Sequence, residues 1–191
     1  MIAMLFLASK SPRRRDLLRQ LGIDADVLDI DVPEQRLPGE PPADYVSRVA
    51  REKAGMGLLQ VVAVPGAVVL GADTEVVFDD EVFGKPADAA DAARMLRRLS
   101  GRVHQVVSVV WAVSGGREEC VRSVSAVEFG ELSDADIAAY VATGEAFGKA
   151  GAYAIQGRAA AFVRRLEGSY SGVMGLPLHE TAGLLRRFGV I

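Results

Sequence analysis

Ala67-Val68-Val69-Leu70-Gly71-Ala72, followed at once by Asp73-Thr74, is the stretch that decides the fold. An apolar, β-branched run of this length predicts a central strand covered on both faces. It ends on a carboxylate, at the carboxyl end of a strand, where ligands gather in open α/β sheets. Upstream, residues 43–58 predict a helix. Tyr45, Val46, Val49 and Ala50 share one side, and Asp44/Arg48 and Arg48/Glu52 form i,i+4 pairs on the other. Downstream, residues 75–78 and 81–83 predict a hairpin across Asp79-Asp80, and Asp88 caps a helix that ends near Ser100-Gly101.

The N-terminal third begins with a strand over residues 4–9. Ser11-Pro12 then opens a helix with Leu17, Leu18 and Leu21 on one face and Gly22 closing it. Residues 26–32 alternate and predict a second strand, and Pro33 to Pro42 form a loop. Two long strands, 103–113 and 117–129, are joined through Ser114-Gly115-Gly116, and Ser133 with Asp136 marks a further helix start. Residues 145–157 make a glycine-rich loop, 159–166 a strand, 167–176 a loop, and Pro177 opens the last helix. Hairpins mixed with helical crossovers predict an α/β fold with a mixed sheet and flanking helices. We expect one domain over residues 1–191, with any boundary between lobes near Gly101.

Composition limits the function classes. The chain has 191 residues and a formal net charge of −3, so no global basic field points to nucleic acid. Its single cysteine, Cys120, cannot form a disulfide within the chain, which fits a reducing compartment and a plain structural thiol. Met1 to Ala8 is apolar but short, and Lys10 and Arg13 to Arg15 follow it. It predicts a buried strand rather than a leader peptide, no run is long enough to span a bilayer, and the expected location is the cytoplasm.

Five constellations could carry chemistry. Ser9-Lys10-Ser11-Pro12-Arg13-Arg14 turns a strand into a helix N-terminus, where free N–H groups, hydroxyls and cations suit a phosphate; an ordinary capped helix with a basic face fits equally. Asp73 could hold Mg²⁺ or activate water, or merely cap a turn. Gly84-Lys85-Pro86 presents a point charge on a stiff loop, and Lys53 in Arg51-Glu52-Lys53-Ala54 faces either a cleft or water. Lys149 to Gly157 offers small residues, Tyr153 to stack and Gln156 to read a base edge, or a structural turn. There is no G-x-x-x-x-G-K-[ST], no G-x-G-x-x-G and no nucleophile elbow. His104 and His179 lack a ligand-spaced partner; His104 is expected to be structural, and Trp111 to lie in the core.

Taken in order, these motifs, with Ser100-Gly101, Lys149-Ala150-Gly151, Ile155-Gln156-Gly157, Gly168-Ser169-Tyr170 and Gly175-Leu176-Pro177-Leu178, resemble the Maf family over nearly the whole chain. The resemblance implies an elongated fold like that of inosine triphosphate pyrophosphatases, with two lobes around a central cleft. It implies hydrolysis of a nucleoside triphosphate between the α and β phosphates, with Mg²⁺ or Mn²⁺ as the divalent cation. Asp73 matches the family's proton acceptor, Lys53 and Lys85 its phosphate-contacting lysines, and Glu34 an acidic position that helps Asp73 with metal. Ser9, Ser11, Arg13, Arg14, Lys53, Thr74, Lys85 and Gln156 form the implied substrate set. Arg13, Thr74 and Gln156 match the branch acting on dTTP and UTP rather than 7-methyl-GTP. Gly148 departs from the family, which commonly has an acid before the lysine. The resemblance also suggests a homodimer, and its alternative reading is a nucleotide-binding regulator of septum formation with little turnover.

Overall fold

The computed structural model describes residues 3–191; Met1 and Ile2, the start of the apolar N-terminal run, lie outside the described residues. The chain runs β1 (Met4–Ala8), α1 (Pro12–Gln20), β2 (Asp26–Val27), α2 (Pro42–Gln60), β3 (Ala67–Phe78), β4 (Glu81–Phe83), α3 (Ala89–Leu99), β5 (Val103–Ser114), β6 (Arg117–Phe129), α4 (Asp134–Val141), β7 (Val163–Glu167), α5 (Tyr170–Met174) and α6 (Leu178–Arg187). The described strands form one sheet in the order β2-β1-β3-β5-β6-β7, with β4 also on β3. β1 is parallel to β2 and β3, whereas β5, β6 and β7 pair antiparallel, so the sheet is mixed as expected.

β3 is the axis of the molecule. It continues unbroken through Asp73-Thr74 into Val77-Phe78, so the apolar run and the first hairpin arm are one strand. The two-residue turn at Asp79 and Asp80 has φ of 50° and 63°, a left-handed pair that matches the twist of a tight hairpin. β3 also divides the core. Val68, Leu70 and Ala72 pack with β1, α1 and α6, whereas Val76 packs with α3, α4 and the 146–159 segment. Asp73, Thr74 and Glu75 fall at the transition between these two apolar clusters.

The caps follow the sequence. Ser133 and Asp136 make a full capping box, and Asp88 accepts from the Asp91 amide. Gly22, at φ +74°, closes α1. Five expectations need correction. The second strand is only Asp26–Val27, because β1 ends at Ala8; Leu28 still donates its amide to Leu7 O at 2.9 Å, and Ile30 and Val32 keep the alternation by packing against the core without a ladder. Residues 158–162 form a 3-10 turn and the strand starts at Val163, since Ala159-Ala160-Ala161 has no β-branched side chains to favour extension. The 167–176 segment contains α5, capped by Ser169. Trp111 is only half-buried, donating to Ser47 Oγ at 3.1 Å, and Cys120 is exposed on β6.

Candidate active site

One edge of β3 is broken by a gap in its partners. β1 pairs with it up to Gly71, and β4 pairs with it only from Val76. The opposite edge is covered by β5 throughout from Val69 to Val77. Residues 72–75 therefore have one edge without a neighbouring strand, and a pocket of about 500 Å³ occupies that opening. Its lining includes residues 8–14, Glu34, Lys53, residues 73–76, Lys85, residues 148–150, Tyr153 and residues 173–175. Residues from β1-α1, from the Pro-rich loop, from α2 and from the C-terminal segment meet there.

On one face of β3, Gly71, Asp73 and Glu75 follow one another at the two-residue strand period. α2 lies against Gly71 so closely that a Cβ there would overlap the backbone of Ala50 and Ala54. That approach brings Lys53 into the sheet, where its side chain is 10% exposed. Lys53 Nζ donates to Glu34 Oε1 at 2.6 Å and to Asp73 Oδ1 at 2.9 Å. Lys85 Nζ donates to Glu34 Oε2 at 2.6 Å. Burial pushes the Glu34 carboxyl up, but the two lysines outweigh it and hold it at about 2. Asp73 Oδ2 and Glu75 Oε2 are buried with no hydrogen-bond partner. Burial, reinforced by the neighbouring Asp73 and Glu34 charges, raises the Glu75 carboxyl well above the usual range.

On the other face, Arg14 is a buried clamp. It donates to Gly175 O at 2.8 Å, Ser9 Oγ at 3.2 Å and Thr74 Oγ1 at 3.3 Å. Thr74 Oγ1 also lies 2.8 Å from Ser108 Oγ, which in turn donates to Gly172 O at 2.7 Å. Arg13 is half-buried at the rim, donating to Met174 O at 3.3 Å, and burial and then the Arg14 charge lower its affinity for the proton. Ser11 stands at the N-cap of α1 without a side-chain cap bond; its amide donates to Ser9 Oγ at 3.2 Å. Lys10 is turned outward to Asp29 at 2.7 Å, with 60% of its side chain exposed.

Of the substrate set expected from sequence, Ser9, Ser11, Arg13, Arg14, Lys53, Thr74 and Lys85 line the pocket, together with Asp73 and Glu34. Gln156 does not; it is exposed on the turn beyond Ile155. Tyr153 lines the pocket but cannot swing out to stack on a base. Its ring is buried against Phe129 and its hydroxyl lies 2.8 Å from His104 Nε2. His104 is accordingly structural, and burial lowers its proton affinity to about 4. The Thr74 hydroxyl is likewise committed, to Ser108, Gly175 and Arg14. Glu75 is the residue that sequence reasoning missed. Its signal was the two-residue alternation with Asp73, hidden by assigning Glu75 to a separate hairpin arm.

Among the described residues no three carboxylate, imidazole or thiol groups form a ready cage for a metal ion. Lys53 stands between Glu34 and Asp73 instead. Magnesium does not need a cage, since it is commonly held by one or two carboxylates together with substrate phosphates. The unpartnered Asp73 Oδ2 fits that chemistry.

A mixed α/β sheet that opens onto buried carboxylates, lysines and a helix N-terminus defines a pocket for a polyanion and a cation. The chain belongs to the Maf family: the Maf-like protein family matches residues 4–188. A dTTP/UTP pyrophosphatase of Xanthomonas euvesicatoria is 57% identical over 188 residues, spanning 97% of this chain and 99% of the relative. A nucleoside triphosphate pyrophosphatase of Xylella fastidiosa is 58% identical over 186 residues, spanning 97% and 98%. Among solved structures, the Ham1 protein of Staphylococcus aureus superposes with a TM-score of 0.43 at 14% identity, covering 66% of this chain and 71% of that one. Among the described residues no helix is long and apolar enough to cross a membrane.

Proposed function

We propose that this chain hydrolyses dTTP and UTP to the nucleoside monophosphate and pyrophosphate, with action on modified pyrimidine nucleotides as part of the same activity. The observation that carries the reading is the Lys85–Glu34–Lys53–Asp73 chain of contacts in the pocket. Both lysines are held on a carboxylate that a polyphosphate can replace. Each then trades Glu34 for phosphate oxygens, so charge on the departing pyrophosphate meets cations already aimed into the pocket. The hydroxyls of Ser9 and Ser11, with Arg13, complete the phosphate cradle at the start of α1.

Water attacks the α-phosphorus, the bond from that phosphorus to the α–β bridging oxygen breaks, and pyrophosphate leaves. Asp73 orients the attacking water and takes up its proton. A divalent cation, Mg²⁺ or Mn²⁺, would sit against Asp73 and the phosphates and polarise the phosphoryl group. Family resemblance gives the second metal-holding position to Glu34, whose two oxygens are taken by Lys53 and Lys85. Selection between bases rests on Arg13 at the rim, with Thr74 and Gln156 as the other positions that family resemblance gives to base choice. Chain length supports one domain, the lone Cys120 fits a reducing compartment such as the cytoplasm, and family resemblance suggests a homodimer.

The test is pyrophosphate release from dTTP, UTP, CTP, dITP and 7-methyl-GTP with Mg²⁺ or Mn²⁺. dTTP and UTP should lead. Tight binding of dTTP without turnover would replace the enzyme by a nucleotide-binding regulator.

A further inference from the structure

We infer that Glu75 joins Asp73 in holding the divalent cation, from the opposite side of Thr74 on the same face of β3, in the place that family resemblance gives to Glu34. The inference rests on the pyrophosphatase reading for the cation's purpose, but its geometry is independent of the substrate.

Three carboxylates reach this end of the pocket, and they are not equivalent. Glu34 has both oxygens occupied, Oε1 by Lys53 and Oε2 by Lys85, each at 2.6 Å. It comes from the Pro-rich loop, and its side chain is 30% exposed. Asp73 gives one oxygen to Lys53 and leaves Oδ2 buried and unpartnered. Glu75 is 6% exposed, and among the described residues no lysine or arginine pairs with it. Glu75 is among the residues that line the pocket, and its Oε2 is buried without a partner. The two vacant carboxylate oxygens thus belong to residues two apart on one rigid strand, so they project from the same side.

A buried carboxyl with no donor is costly unless something completes it. A structural explanation would supply a donor, and none is present among the described residues. The pairing agrees: Lys53 is shared by Glu34 and Asp73, Lys85 goes to Glu34, and neither lysine pairs with Glu75. A strand is also a firmer seat for a metal ligand than the loop carrying Glu34. Two strand carboxylates, with phosphate oxygens and water filling the other positions, match how magnesium is usually bound.

The experiment measures Mn²⁺ binding by electron paramagnetic resonance and calorimetry, with Mn²⁺ alone and with Mn²⁺ plus α,β-imido-dUTP. It compares wild type, Glu75→Gln, Glu75→Val and Glu34→Gln. Valine suits a buried strand position, and circular dichroism with metal-free melting confirms that each variant folds. Both Glu75 variants should bind Mn²⁺ about tenfold more weakly or worse, since even indirect partners of a metal cost ten- to a hundredfold. They should also lose the rise in melting temperature that Mn²⁺ gives the wild type. Glu34→Gln should keep Mn²⁺ affinity and bind the imido nucleotide at least as tightly as the wild type, since it removes the carboxylate that competes for Lys53 and Lys85. Wild-type Mn²⁺ affinity in both Glu75 variants, with loss in Glu34→Gln, overturns the inference. So does a wild type that binds no Mn²⁺ under either condition. If no nucleotide is hydrolysed but Mn²⁺ binding still depends on Glu75, the proposed activity fails and the cation site stands.

Discussion

Lys53 and Asp73 face each other at 2.9 Å with side chains 10% and 6% exposed, an ion pair that joins α2 to the middle of the sheet. Removing one partner of such a pair strands the other charge in the interior. Lys53→Met should therefore lower stability by about 3 kcal/mol, read as a shift in the urea midpoint. Asp73→Asn differs, because its amide oxygen can still accept from Lys53 and Glu34 still neutralises the ammonium. That variant should stay folded and lose about a hundredfold or more in pyrophosphate release, the usual worth of a positioned proton acceptor. Full activity in Asp73→Asn would remove Asp73 from the chemistry.

The Glu34 carboxyl carries the pH dependence that the site itself imposes. Held at about 2 against an ordinary 4.5 by Lys53 and Lys85, it is charged more readily in the folded chain than in the unfolded one. A depressed carboxyl contributes stability above its ordinary value and loses it as the pH falls through the folded value. Melting curves of wild type and Glu34→Gln should differ most above pH 4.5 and converge towards pH 2. A difference that stays constant across that window would mean that the lysines do not act on Glu34 in solution.

Gly71 is required by the approach of α2 rather than by its own backbone. A methyl group there would overlap Ala50 O and the Ala54 amide, both main-chain atoms that cannot rotate away. Gly71→Ala should cost about 2 kcal/mol or more, since overpacking a tight contact moves whole elements. The displaced element is the helix that carries Lys53, so turnover should fall with stability. If thermal denaturation shows no change, the helix does not sit as close as described.

The sequence exposed most of the fold through features that are local. Asp79-Asp80, Gly115-Gly116, Asp88 and Ser133 each specify a turn or a cap with their own side chains or backbone freedom, and each stands where expected. The failures are where neighbours decide. The alternation of residues 26–32 is real, but a strand also needs a partner, and β1 ends too early to provide one past Val27. The site shows the same division. Lys53, Lys85 and Asp73 were legible as motifs, whereas their meeting on Glu34 depends on a Pro-rich loop crossing 19 residues back from Lys53 and 51 from Lys85. Tyr153 looks free in sequence because its partners, His104 on β5 and Phe129 on β6, are far from it along the chain. The committed hydroxyl of Thr74 was equally hidden, since Ser108 and Gly175 reach it from 34 and 101 residues away.

Arg14 should separate binding from turnover. Its guanidinium reaches Ser9 after β1, Thr74 in β3 and Gly175 after α5, three acceptors on three elements. A planar fork can serve all three at once, and an ammonium on a flexible stem cannot, so Arg14→Lys keeps the charge and loses the geometry. The buried acceptors left behind should cost about 2 kcal/mol. The segment that loosens is Ser9 to Arg13, which lines the pocket at the start of α1, whereas Lys53 and Asp73 are tied together from the other face of β3. Steady-state kinetics on dTTP should accordingly show KM raised about tenfold with kcat little changed, the pattern of lost uniform binding. A fall in kcat at unchanged KM would instead place Arg14 among the groups that act in the transition state, and the clamp would have to be read as part of the chemistry.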